Sequence, residues 1–123
     1  MKEDRKEFIE NLKNRMLDYS VQVISFVDGL PRDLSCSILA RQLLRSATSI
    51  GANFIEAQGA GSTKDFTNFL SIALKSANET IYWLSLFRKS HKGNQIILDK
   101  LQIETSELAN ILGSIVSSLR KKA

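Results

Sequence analysis

Ile9, Leu12, Met16, Tyr19, Val23, Phe26 and Leu30 recur at alternating intervals of three and four residues, which places all seven on one narrow stripe of a helix. The spacing returns in Cys36, Ala40, Leu43, Ala47, Ile50, Phe54 and Ala57, and again in Phe66, Leu70, Ala73, Ala77, Leu84 and Phe87. A fourth stripe, Leu98, Leu101, Thr105, Leu108, Leu112, Ile115 and Leu119, has one polar member. These patterns predict helices over 5–28, 33–58, 63–91 and 95–121, each about 35 to 40 Å long at a rise of 1.5 Å per residue. Short joints between helices of similar length favour an all-α, antiparallel, up-and-down four-helix bundle. The 123 residues have room for one such domain, 1–123.

The joints are marked by residues that end helices. Asp28, Gly29, Leu30, Pro31 and Arg32 contain the only proline, which restricts the residue before it. In AQGAGSTKDF, Gly59 and Gly61 can turn the chain, Ser62 can cap a helix, and Asp65 suits the positive end of its dipole. Gly93 and Asn94 are expected to close the third helix after the basic run RKSHK. Two further features concern packing. Gly51 costs about 1 kcal/mol against alanine within a helix, which marks either a tight contact or a merely tolerated glycine. Phe69, Ile72, Ser76 and Trp83 form a second stripe on the third helix, which implies contacts on two sides, one of them with another subunit.

Several function classes are poorly served. No apolar run approaches the roughly 20 residues of a membrane span, and MKEDRKEFIENLKNR has no signal-like apolar centre, so a cytoplasmic location and no membrane partner are expected. Cys36 is the only cysteine and falls on an apolar stripe, which predicts a buried, inert thiol. The single histidine, His91, sits at a basic helix end, and no Glu-x-x-His stands beside Glu56 or Glu79 to build a di-iron site. No metal, cofactor or catalytic residue is therefore expected. GAGS at 59–62 lacks the lysine spacing and preceding strand of a phosphate loop and reads as a turn.

What stands out is polar. Gln42, Ser46, Ser49, Asn53 and Glu56 run down the flank of the second apolar stripe, with Arg45 at its outer side. Polar groups near a dry contact cost a few kcal/mol each unless hydrogen-bonded. The candidate partners are Ser76, Asn78, Glu79 and Thr80 on the third helix. Two readings stand: a satisfied seam that fixes helix register and chain pairing, or a wet groove that holds a small ligand, a peptide or a nucleic-acid strand.

The formal charge is +4. Its carriers include Lys2, Arg5, Lys6, Lys13 and Arg15, the cluster Arg88, Lys89, His91 and Lys92, and the cluster Arg120, Lys121 and Lys122. In an antiparallel bundle the last two clusters fall at opposite ends. A single chain then presents no broad basic face, but an oligomer would gather like charges into rings that contact several phosphates together.

QLLRSATSIGANFIEAQGAGSTKDFTNFLSIALKSANETIYWL, residues 42–84, together with LPRD at 30–33, resembles the bacterial four-helix bundle family known as 23S rRNA intervening-sequence proteins. The family phrase, Gln-Leu, one residue, Arg-Ser-Ala, one residue, Ser-Ile, one residue, Ala-Asn, is matched from Gln42 to Asn53. Arg45, Ser46, Asn53, Glu56, Ser62, Phe66, Leu70, Ile72, Ala73 and Glu79 stand where the pattern expects them. Phe54 and Ala57 replace the commoner isoleucine and glycine, and Ala60 stands where a basic residue is frequent. The resemblance implies a homopentameric ring without enzymatic activity and with no cofactor. A related branch, the accessory proteins of diversity-generating retroelements, pairs a basic pentamer with a reverse transcriptase and nucleic acid. Two engagements follow as expectations: a protein partner, or weak RNA or DNA binding through Arg88, Lys89, Lys92, Arg120, Lys121 and Lys122.

Overall fold

The computed structural model describes residues 2–122, with side chains from residue 4 onward. Met1, Ala123 and the side chain of Lys2 lie outside the described residues. Four α-helices account for most of the chain, α1 (Lys2–Asp28), α2 (Leu34–Gln58), α3 (Thr63–Lys89) and α4 (Gln95–Lys122), and no strand occurs among the described residues. Each helix packs against its neighbours in the cyclic order α1, α2, α3, α4, and α2–α3 is the most extensive contact. Among the described residues no close backbone contact crosses the diagonals from α1 to α3 or from α2 to α4. The arrangement is a square of antiparallel helices around one shared core.

The stripes fill that core. Leu12, Met16, Tyr19, Val23 and Phe26 of α1 meet Leu43, Ala47, Ile50 and Phe54 of α2, Leu70, Ala73, Ala77, Leu84 and Phe87 of α3, and Leu98, Leu101, Leu108 and Leu112 of α4. In the last turns of α4 the buried position moves from Ile115 to Val116, because a strict repeat of three and four drifts slowly around a helix of 3.6 residues per turn. The small α2–α3 residues Ala47, Ala73 and Ala77 allow a close approach. Gly51 answers to the same need: a Cβ there would stand 3.3 Å from the Cβ of Met16 on α1.

The polar member of the fourth stripe is accommodated. Thr105 donates to the Leu101 carbonyl at 2.6 Å and lies 2.5 Å from the buried Tyr19 hydroxyl, which can donate to it in turn. Burial is the main reason the Tyr19 phenol titrates well above its usual range. Tyr19→Phe should therefore cost only about 1 kcal/mol, since Thr105 keeps its carbonyl partner. Thr105→Val should cost more, because it strands the buried phenol, and chemical denaturation of the two variants tests this order.

The joints refine the expected boundaries. Asp33 caps α2, its Oδ1 accepting from the Cys36 N–H at 2.8 Å. Ser62 caps α3 by accepting from the Asp65 N–H at 3.1 Å, as its position suggested, although Asp65 returns no bond among the described residues. Gly59 closes α2 at φ −97°, a conformation open to any residue. The third joint differs from expectation: α3 ends at Lys89, His91 takes a left-handed φ of 54°, and Gly93 reverses the chain at φ 88°. Asn94 then opens α4 instead of closing α3, because its Oδ1 accepts from the N–H groups of Ile96 and Ile97, each at 3.0 Å.

Lys92 in this joint donates to Asp33 at 2.8 Å and to Ser35 at 3.1 Å, clasping the α1–α2 and α3–α4 joints at one end of the bundle. The Lys92 ammonium, aided by the Cys36 N–H, holds the Asp33 carboxyl well below the usual carboxylate range, and Asp33 raises the Lys92 pKa in return. A depressed carboxylate contributes fully above its unfolded pKa and loses that contribution as pH falls below it; a raised lysine contributes fully below its unfolded pKa and loses it at higher pH. The difference in melting temperature between wild type and Lys92→Met should accordingly be flat from about pH 5 to 9 and shrink on either side.

Candidate functional site

The polar flank of α2 splits into an inner and an outer set. Ser46 is buried, and its hydroxyl shares a 2.8 Å hydrogen bond with that of Thr80, which also reaches the Ser76 carbonyl at 2.7 Å. One turn further, Ser76 donates to the Ser49 hydroxyl at 3.0 Å, and the Asn53 amide donates to the Ser49 hydroxyl at 2.8 Å and its carbonyl at 2.9 Å. These five side chains form a continuous ladder between α2 and α3. No buried side-chain nitrogen or oxygen is left without a partner among the described residues. A ladder with its polar atoms already paired locks register and offers few free groups to a ligand.

The outer set does not join it. Arg45, Glu56 and Glu79 are exposed, and Arg45 and Glu56 form no ion pair among the described residues. Glu79 accepts from the Trp83 indole on its own helix at 3.0 Å, and Gln42 is half-buried beside them. Of the expected partners, Ser76 and Thr80 face α2, whereas Asn78 is exposed. Thr80 carries the most buried hydroxyl of the ladder yet falls in the gap between Ala77 and Leu84. Its position on the apolar stripe of α3 was the available signal.

The outer face of the α2–α3 pair combines these charges with apolar surface. Ile72 is exposed, while Phe69 and Trp83 are half-buried in the single chain, with Tyr82 edge-on to Trp83 at a centroid distance of 5.2 Å.

The basic clusters differ in availability. Arg88 is held by Asp99, by Gln95 at 3.0 Å and by Gln102 at 3.0 and 3.1 Å, and Lys92 is held by Asp33. Lys89 is exposed, and so is His91. At the other end Arg120 donates, among the described residues, only to the Ser71 hydroxyl, at 2.9 Å, and Lys121 and Lys122 are exposed. Arg120 and Lys122 border a groove of about 410 Å³ whose α3 wall is Thr63, Lys64, Thr67 and Asn68. Cys36 is buried, and that burial pushes its thiol above the usual range, with Asp33 adding to the shift. No group of three His, Cys, Asp or Glu side chains is placed to hold a metal ion, and no helix is long and apolar enough to cross a membrane, among the described residues.

Residues 11–114 match the model of the family described as 23S rRNA-intervening sequence protein. The chain belongs to that family. A solved structure, a protein of unknown function from the S23 ribosomal protein family of Bacteroides thetaiotaomicron VPI-5482, is 35% identical and superimposes with a TM-score of 0.80. The alignment covers 89% of this chain and 97% of that one. No curated protein matches. The family match contains the whole α2–α3 ladder and the tethered Arg88 and Lys92, whereas Arg120, Lys121 and Lys122 lie beyond it.

Proposed function

We propose that this protein is a non-enzymatic, cytoplasmic homo-oligomer, a pentamer as the family resemblance implies, that serves as a protein-interaction or structural module. The observation that carries the reading is the outer α2–α3 face, where Ile72, Trp83 and Phe69 lie beside the exposed Arg45 and Glu56. Apolar side chains at helical spacing next to charges without an ion-pair partner among the described residues suit a surface that becomes buried on assembly. In this reading the ladder of Ser46, Ser49, Asn53, Ser76 and Thr80 sets the α2–α3 spacing on which that face depends. Gln42, Arg45, Glu56 and Glu79 form its polar border.

Sedimentation equilibrium at micromolar concentration should give a mass several times 13.8 kDa. Ile72→Arg should reduce it to a single chain with helical content retained, because the side chain is already exposed within one subunit. A wild-type protein that sediments at 13.8 kDa would remove the proposal.

A second reading, nucleic-acid binding of the kind associated with the retroelement accessory branch, draws support from one place. Lys64, Arg120 and Lys122 converge on the groove at the terminal end of the bundle, with Lys121 beside them. Arg88 and Lys92, occupied by partners in their own chain, contribute less. If this reading holds, binding to single-stranded DNA or structured RNA should weaken steeply between about 50 and 200 mM salt, and Arg120→Gln with Lys122→Gln should flatten that slope while Arg88→Gln leaves it unchanged.

A further inference from the structure

The four faces of the bundle differ in the ion pairs that link their helices. The two that contain α4 are closed by polar links between helices: Arg15 of α1 pairs with Glu104 at 2.6 and 2.7 Å and with Glu107, and Arg88 of α3 pairs with Asp99. The two that share α2 carry no ion pair between helices among the described residues; their one link of this kind, Lys92 to Asp33, lies in the joints. They carry exposed apolar side chains with no such link beside them, although Tyr82 of α3 and Ile96 and Ile103 of α4 are exposed as well. On α1, Leu17, Val21 and Ile24 are 62%, 57% and 46% exposed. Their helical spacing puts them on the flank turned away from Arg15, and so on the α2 side. On the other side of α2, Ile72 is 44% exposed.

Resting on the oligomer reading above, we infer that the ring is built head to tail. The α2–α3 face of one subunit packs on the α1–α2 face of the next, with Leu17, Val21 and Ile24 as the surface that receives Ile72 and Trp83. Closure follows from geometry. A ring of n subunits needs the two contact faces of each subunit to have normals 180° − 360°/n apart, about 90° for four subunits and about 108° for five. Adjacent faces of a square bundle stand at about 90°, close to both, whereas opposite faces would stack into an open filament. The shared helix α2 therefore lies at the inner edge of the ring and α4 at its outside.

Charge agrees with this pairing. Gly51 sits beside Met16, which sets the α1–α2 register. Glu56, five residues further along α2, therefore comes level with Asn11 and about 3 Å along the axis from Lys13. A rotation axis parallel to the bundle keeps such levels between subunits. Glu56 of one subunit thus meets Lys13 of the next, whose only ion-pair partner in its own chain, among the described residues, is Glu10 at 3.9 Å.

The test mixes two variants, Ile72→Arg and Val21→Arg, with Leu17→Glu in place of the second should it lose helical content. Each alone should sediment as a single chain at about 100 µM. An equimolar mixture should form a heterodimer and nothing larger, because one intact pair of faces survives between unlike subunits and no ring can close. The inference is overturned if Val21→Arg or Leu17→Glu keeps the wild-type assembly, if either variant alone remains a dimer through its intact face, or if the mixture stays monomeric. A monomeric wild type in the same run overturns the oligomer reading and this inference together, whereas an assembled wild type with an indifferent Val21 overturns the inference alone.

Discussion

Gly93→Ala is expected to destabilise the fold by about 2 to 5 kcal/mol, read as a shift in the urea midpoint at unchanged slope. Two independent terms contribute. Gly93 sits at φ 88°, where a residue with a Cβ is strained by about 1 to 2 kcal/mol. The added Cβ would also stand 2.7 Å from Cζ of Phe26 and 2.8 Å from Cδ2 of Leu30, closer than such atoms pack. Phe26 cannot step aside, being buried and edge-on to Phe87 at a centroid distance of 5.3 Å. Overpacking of that kind costs about 1 to 3 kcal/mol. The joint at residues 90–94 is thus held by its neighbours in the core as much as by its own backbone.

Phe87→Ala should cost about 3 to 5 kcal/mol, since it removes a fully buried ring and leaves a cavity beside Phe26. The informative experiment combines the two changes. Once Phe87 is truncated, the Phe26 ring has space to retreat from an alanine at position 93, so the double variant should lose less than the sum of the single losses, with a coupling of about 0.5 to 3 kcal/mol. Strict additivity would show that the Gly93 penalty is purely one of backbone strain. Against a total stability of about 5 to 15 kcal/mol for a domain of this size, either change alone takes a large share.

Both predictions bear on assembly. The Phe26–Phe87–Gly93 corner lies at the joint end of the bundle, and neither aromatic ring reaches the outer α2–α3 face. A variant weakened there should assemble normally under conditions where it is folded. Ile72→Arg should do the reverse, with its fold preserved and its association lost. Measuring stability and mass together separates residues that build the subunit from residues that build the oligomer.

Helical periodicity is a local property, and it was legible from the chain alone: four stripes, their antiparallel order and the cap at Ser62 follow from spacing and short joints, as did the buried setting of Cys36. The family phrase from Gln42 to Asn53 was legible for the same reason, as a fixed pattern along one helix. Only tertiary structure decided which members of the polar flank face inward. Ser46 and Asn53 sit on the α3 side and Arg45 on the open side, and that choice depends on where Thr80 and Ser76 arrive across the interface, 34 and 27 residues later in the chain than Ser46 and Ser49. The basic residues divide in the same way. Arg88 and Lys92 look as available as Arg120 and Lys122 in composition, but Asp99 and Asp33 reach the first pair, and Asp33 is 59 residues from Lys92 in sequence. A charge pattern records how many cations a chain has; packing determines which of them already have a carboxylate beside them.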